Sequence, residues 1–222
     1  MRIIAVCNQK GGVGKSTTAW AILTGAALRG RRALGIDYDA QGSLTYLMGA
    51  QIGQERQKTP TGDILPASMD ILSMTDVDAL GRSLGGYRKD YDIVVIDAPP
   101  SLGKPLLSVL RAATEVLIPL QADPLSVHGL YNMQTTITRV NPALTITGAF
   151  LARHNGRSVI ARDMVDAIQE RCQQLKIPYI NTPIREGVAI REAQLLQQPI
   201  FTYAPRSNPA KDFTALLDAI KI

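Results

Sequence analysis

The stretch Lys10-Gly11-Gly12-Val13-Gly14-Lys15-Ser16-Thr17 sets two lysines around a run of glycines. Glycines let a backbone take positive φ and turn its N–H groups inward, which is what a bound phosphate chain requires of a loop. If a strand precedes the stretch and a helix opens near Lys15, the helix adds the partial positive charge of its N-terminus. Lys15 then reaches the β- and γ-phosphates of a nucleotide, and Ser16 offers a hydroxyl to Mg2+. Three aspartates could complete such a site: Asp37 and Asp39 in GIDYDAQGS, and Asp97 at the end of YDIVVID. A carboxylate that closes an apolar strand is costly unless it faces a cation. A water-mediated contact with Mg2+ is therefore the expected use of Asp97. Lys10 is surplus to a single phosphate chain.

These groups converge only if the right elements carry them. Nearly continuous apolar runs read as buried parallel strands at 2–7, 33–37, 69–74, 91–97, 115–120, 144–152 and 177–181. Helical stretches lie between them, at 15–29, 75–84, 104–113, 124–140, 158–175, 187–197 and 209–220. In the fourth of these, Leu130, Met133, Ile137 and Val140 recur at spacings of three and four. The alternation predicts an α/β fold, a doubly wound and mostly parallel sheet flanked by helices, as one domain over 1–222. Ligands of such sheets bind beyond the carboxyl ends of the strands. Only 50–68, polar and rich in Gly and Pro, reads as irregular surface.

The 222 residues are 45% hydrophobic and 19% charged, which fits a globular protein and excludes a disordered one. Two cysteines, Cys7 and Cys172, have neither metal nor redox spacing and read as core residues of a reduced, cytoplasmic protein. No apolar run approaches the roughly 18 residues of a membrane span, and no signal peptide precedes the first strand. The net charge of +5 fits a polyanionic partner.

The usual phosphate loop reads G-x-x-x-x-G-K-[ST], yet its first glycine falls here on Gln9, with Lys10 next. This K-G-G-x-G-K-[ST] form resembles the deviant Walker A motif of the ParA/MinD family of P-loop ATPases. GIDYDAQGS is similar to that family's D-x-D-x-Q-G segment, and YDIVVIDAPPSLG to its Walker B strand followed by D-x-P-P-S-L-G. The likeness continues through VLIPLQAD, NPALTITGAFLAR and YAPRSNPAKDF, covering nearly the whole chain, and is greatest to the ParA group that segregates plasmids and chromosomes.

The resemblance implies ATP and Mg2+ as cofactors. ATP would lie on Lys10, Gly11, Gly12, Val13, Gly14, Lys15, Ser16 and Thr17, and Mg2+ near Ser16, Asp37, Asp39 and Asp97. Lys10, Asp39 and Lys15 are the implied catalytic residues, Lys10 acting across an ATP-dependent homodimer on the partner's nucleotide. A second cation has a physical use there, because ATP clamped between subunits brings negative charge into a dehydrated interface. Pro183, Ile184 and Arg185 are the implied base contacts, although TPIREGVAIREA departs from the family's isoleucine–proline–arginine–asparagine segment.

The implied partners are non-specific double-stranded DNA and a ParB-like centromere-binding adaptor, with a nucleoid-associated location. Arg157 matches a family arginine implicated in DNA binding, and Arg153, Arg162, Arg185 and Arg206 are its expected neighbours. RGRR at 29–32 is expected at a helix C-terminus, where the dipole alone favours cations. Two readings compete within the family. A MinD-like, membrane-cycling ATPase needs an amphipathic C-terminal anchor with a basic face. The tail NPAKDFTALLDAIKI instead mixes Lys211 and Lys221 with Asp212 and Asp218, and reads as a docked helix without membrane contact. The other reading positions a protein cargo instead of DNA. Outside these, an iron–sulfur relative would need a close cysteine pair, and a metabolic ligase of the same fold remains an alternative.

Overall fold

Apolar runs in the sequence become strands covered on both faces, and the helices between them supply the covers. The computed structural model describes the backbone of residues 1–53, 55–155 and 159–222, and the side chains of all of these but 159–162. The elements run β1 (Arg2–Val6), α1 (Lys15–Leu28), β2 (Ala33–Asp37), α2 (Ser43–Leu47), β3 (Gln57–Thr59), β4 (Gly62–Leu65), α3 (Asp70–Ser73), α4 (Ala79–Gly85) and β5 (Ile93–Asp97). Then come α5 (Lys104–Ala112), β6 (Glu115–Leu120), α6 (Pro124–Val140), β7 (Thr145–Leu151), α7 (Val159–Gln174), α8 (Val188–Leu195), α9 (Ile200–Tyr203) and α10 (Asn208–Ala219). One seven-stranded sheet has the order β3-β4-β2-β5-β1-β6-β7, parallel except for β3. The expected doubly wound α/β sheet is what forms.

Alternate residues of each strand feed two cores. Ile3, Ala5, Val94 and Ile96 face α4 to α7, while Ile4, Val6, Ile93 and Val95 face α1 and α10. Each fully buried Ile or Val on such a face contributes about 2 kcal/mol. Helix α1 lies in the middle of its layer, with Trp20, Ile22 and Leu23 all buried. Phe213, Leu216 and Leu217 occupy the apolar face of α10 in the same core, as the docked reading of the tail required. No helix among the described residues is long and apolar enough to cross a membrane.

Two expected strands fail, each for a local reason. Within 69–74 the chain instead forms the short helix α3, because Ser68 begins a turn: its Oγ accepts from the Asp70 N–H and its carbonyl from the Ile71 N–H. Met69 and Leu72 stay exposed, at 62% and 65%. The place beside β2 belongs to β4, from the segment read as irregular, where Ile64 pairs with Gly35 and is fully buried. Pro60 and Thr61 turn the chain between β3 and β4, so TPTG was a hairpin signal. At 177–181 only Tyr179 bridges Ala149, since Pro178 has no N–H to donate.

Candidate functional site

The strand order places β1 between β5 and β6, with β2 beyond the one and β7 beyond the other. All of these strands deliver their carboxyl ends to one edge. From that edge emerge the glycine loop after Val6, Asp37 at the end of β2, Asp97 at the end of β5, Gln121 to Asp123 after β6, and Arg153 after β7. A cleft of about 830 Å3 opens there, lined by Lys15, Ser16, Thr17 and Asp39 on one side and by Glu186 and Arg191 on the other.

Gly12 and Gly14 have φ of 73° and 92°, and Gly14 is the residue from which α1 starts. Such angles strain any residue with a Cβ, so this turn needs its glycines. Among the described residues the N–H groups of 11–17 find no acceptor. A row of unsatisfied donors at a helix N-terminus is an anion site. Lys15 is 7% exposed, its Nζ donating to the Lys10 carbonyl at 3.2 Å, and burial lowers its pKa against the pull of Asp97 and Asp39.

Asp97 is fully buried, and neither carboxylate oxygen has a hydrogen-bond partner among the described residues. Burial, reinforced by the charge of Asp37 on the neighbouring strand, pushes its pKa up to about 8, with nearby Ser16 and Lys15 pulling the other way. An orphaned carboxylate below a phosphate cradle fits a divalent cation. Among the described residues no group of three or more His, Cys, Asp or Glu is spaced to hold a metal. A cation here would depend on Ser16 and on phosphate oxygens as well. Asp37, expected at the metal, gives one carboxylate oxygen to Thr45: its Oδ2 accepts from the N–H and Oγ1, at 2.7 and 2.8 Å. That bonding fastens the start of α2, and with it the loop carrying Asp39. Asp39 lines the cleft, its Oδ1 accepting from the Gln41 N–H at 3.1 Å.

The two lysines point to different partners. Lys10 turns out of its own cradle and pairs with Asp123 at 2.5 Å. Asp123 also caps α6, accepting from the Ser126 N–H at 3.1 Å, and burial of its carboxyl is outweighed by Lys10 and by this cap, which hold its pKa low.

Of the expected base contacts, Ile184 lines the cleft, whereas Pro183 and Arg185 do not. Arg185 turns away: its N–H, Nε and Nη2 all bond Asp212, at 2.9, 2.9 and 2.5 Å, which locks this segment onto α10. Sequence reasoning missed Glu186, Ile190, Arg191 and Gln194 on the same wall. Gln194 donates to the Thr17 hydroxyl at 2.8 Å. The helical period of EGVAIREAQ was the available signal.

The arginines expected at DNA have separate surroundings. Arg153 bonds the glycine loop, Arg185 bonds Asp212, and Arg206 is exposed between α9 and α10. Arg157 and the side chain of Arg162 lie outside the described residues. Arg29 pairs with Asp218 and Arg32 with Asp92, in keeping with a structural reading of RGRR.

A glycine loop with an inward lysine, at the switch point of a doubly wound sheet, defines a P-loop nucleotide-binding protein. Residues 4–200 match the CobQ/CobB/MinD/ParA nucleotide binding domain, and the chain belongs to that family. It is 31% identical to the chromosome-partitioning ATPase Soj of Treponema pallidum, over 97% of this chain and 95% of that protein. With Soj of Thermus thermophilus the identity is 30%, over 99% and 95%. Among solved structures it resembles a cobyrinic acid a,c-diamide synthase from Mycobacterium smegmatis with bound ATP analog and magnesium. The TM-score is 0.85 and the identity 29%, over 100% of this chain and 94% of the other.

Proposed function

We propose that the chain is a ParA-type partition ATPase. ATP and Mg2+ would fill the cleft, bring two subunits together and create a DNA-binding state, and slow hydrolysis stimulated by a ParB-like adaptor would reset it. The observation that carries this reading is the division of labour between the two lysines. Lys15 donates to the loop's own Lys10 carbonyl, while the Lys10 ammonium pairs with Asp123 and would be released to another subunit. Residues 11–17 would hold the phosphates, with Ser16 and Asp97 at the cation. Bound Mg2+ would supply charge neutralisation for the phosphates and for Asp97. Asp39, at the cleft wall, would orient the attacking water. The base would lie against the wall of Ile184, Glu186 and Ile190.

Asp39→Ala is expected to bind ATP and dimerise but to turn over at least about a hundredfold more slowly, in line with loss of a positioned general base. A steady-state phosphate-release assay checks this, and wild-type turnover would remove Asp39 from the mechanism.

DNA binding should depend on ATP because dimerisation doubles the cations on one face. Contacts to six phosphates would make affinity fall about a thousandfold between 50 and 200 mM salt. Arg157→Glu is expected to weaken binding to all duplexes alike while leaving dimerisation intact, since phosphate contacts carry no base information. A salt titration on two unrelated duplexes tests both points. Should the wild type bind neither duplex at 50 mM salt with ATP, a protein cargo becomes the better reading.

A further inference from the structure

The carbonyl of Gly12 accepts two side-chain hydrogen bonds from outside its own loop. Gln121 Nε2 donates at 3.3 Å and Arg153 Nη1 at 3.1 Å. The donors follow β6 and β7, so two separate strands of the rigid sheet converge on one peptide. A trans peptide is planar and sets its C=O and its N–H on opposite sides. Fixing the Gly12 carbonyl therefore fixes the direction of the Val13 N–H, one of the loop donors without an acceptor among the described residues.

We propose that Gln121 and Arg153 are positioning residues of the phosphate cradle, a two-donor fork on the Gly12 carbonyl that presents the Val13 N–H to a nucleotide phosphate. This rests on the nucleotide-binding reading above and gives Arg153 a task other than DNA contact. The backbone of Arg153 has a φ of 53°, a region that side-chain-bearing residues seldom occupy, so the surrounding structure holds it there. Its Nη2 reaches Glu186 at 3.3 Å, and the neighbouring His154 exchanges backbone hydrogen bonds with Ile184 and Glu186. The fork thus ties the phosphate loop to the opposite wall of the cleft. Preorganised donors need no rearrangement when the anion arrives.

Redundancy gives the proposal a signature. Either donor alone still restrains the carbonyl, so each single loss should be mild, and losing both should cost more than the product. Calorimetric titration with Mg-ADP measures this without involving dimerisation or DNA. Gln121→Ala and Arg153→Gly should each weaken ADP binding about two- to threefold, glycine being chosen because it suits a φ of 53°. The double variant should lose about 25-fold, the value of two hydrogen bonds at about fivefold each. Arg153→Lys, which keeps a donor, should stay within about twofold of wild type. Melting temperatures without nucleotide should not fall, glycine relieving the strain at position 153.

Wild-type ADP affinity in the double variant would overturn the fork, as would a loss equal to the product of the single losses. Normal ADP affinity with weakened duplex binding in Arg153→Gly would also overturn it, returning Arg153 to the DNA surface. If the wild type itself binds no adenine or guanine nucleotide, the nucleotide reading fails first.

Discussion

Lys15→Ala is expected to abolish nucleotide binding, with affinity for Mg-ADP falling at least about a hundredfold. The side chain is almost wholly buried, and burial already lowers its pKa, so its ammonium is held where water cannot screen it. Removing one partner of a buried charge pair costs about 3–5 kcal/mol, which converts to roughly a hundred- to several-thousandfold in Kd. The neighbouring N–H groups cannot compensate, because they are dipoles and the phosphates carry net charge. Folding should survive, since α1 is held by Trp20, Ile22 and Leu23. Calorimetry with Mg-ADP on the folded variant decides the matter, and tight binding would dismiss the phosphate-loop assignment.

What was legible in the sequence follows a physical division. The glycine loop, Asp97 and the central strands could be read because short-range rules place them: positive φ needs glycine, and doubly covered strands need unbroken apolar runs. The edge beside β2 was misread because apolarity alone cannot separate β4 from α3. The hairpin at Pro60 and the turn at Ser68 decided it, and both are two- or three-residue effects. The wall of the cleft was harder still. Arg185 looks like a ligand in the sequence, and only the position of Asp212, 27 residues on, turns it into a structural clamp. The bond from Thr45 to one oxygen of Asp37, eight residues earlier, was equally unannounced. The Gly12 fork was illegible, since Gln121 and Arg153 lie 109 and 141 residues from their shared acceptor.

Lys10→Ala should bind nucleotide and yet neither dimerise on ATP nor hydrolyse it. Its ammonium takes no part in its own cradle, so Mg-ADP affinity should stay within about threefold of wild type, the spread of an exposed ion pair. In the dimer it would face the partner's phosphates in a dehydrated interface. There an uncompensated charge is worth far more than at a surface. The Lys10–Asp123 pair sets what must be broken first. Its side chains are 33% and 26% exposed, so separation costs only about 1 kcal/mol, and Asp123 keeps its bonds to Ser126 afterwards. Asp123→Asn then separates parking from capping. Asparagine caps a helix as well as aspartate does but offers Lys10 no counter-charge. That variant should dimerise on ATP at about 30-fold lower protein concentration than wild type, since two such pairs are broken per dimer at about fivefold each, the inverse of Lys10→Ala. Light scattering with a slowly hydrolysed ATP analogue reads both. A normal dimer in Lys10→Ala removes the lysine from the interface. A dimer lost in Asp123→Asn means that the pair itself, and not a released Lys10, belongs to the associated state.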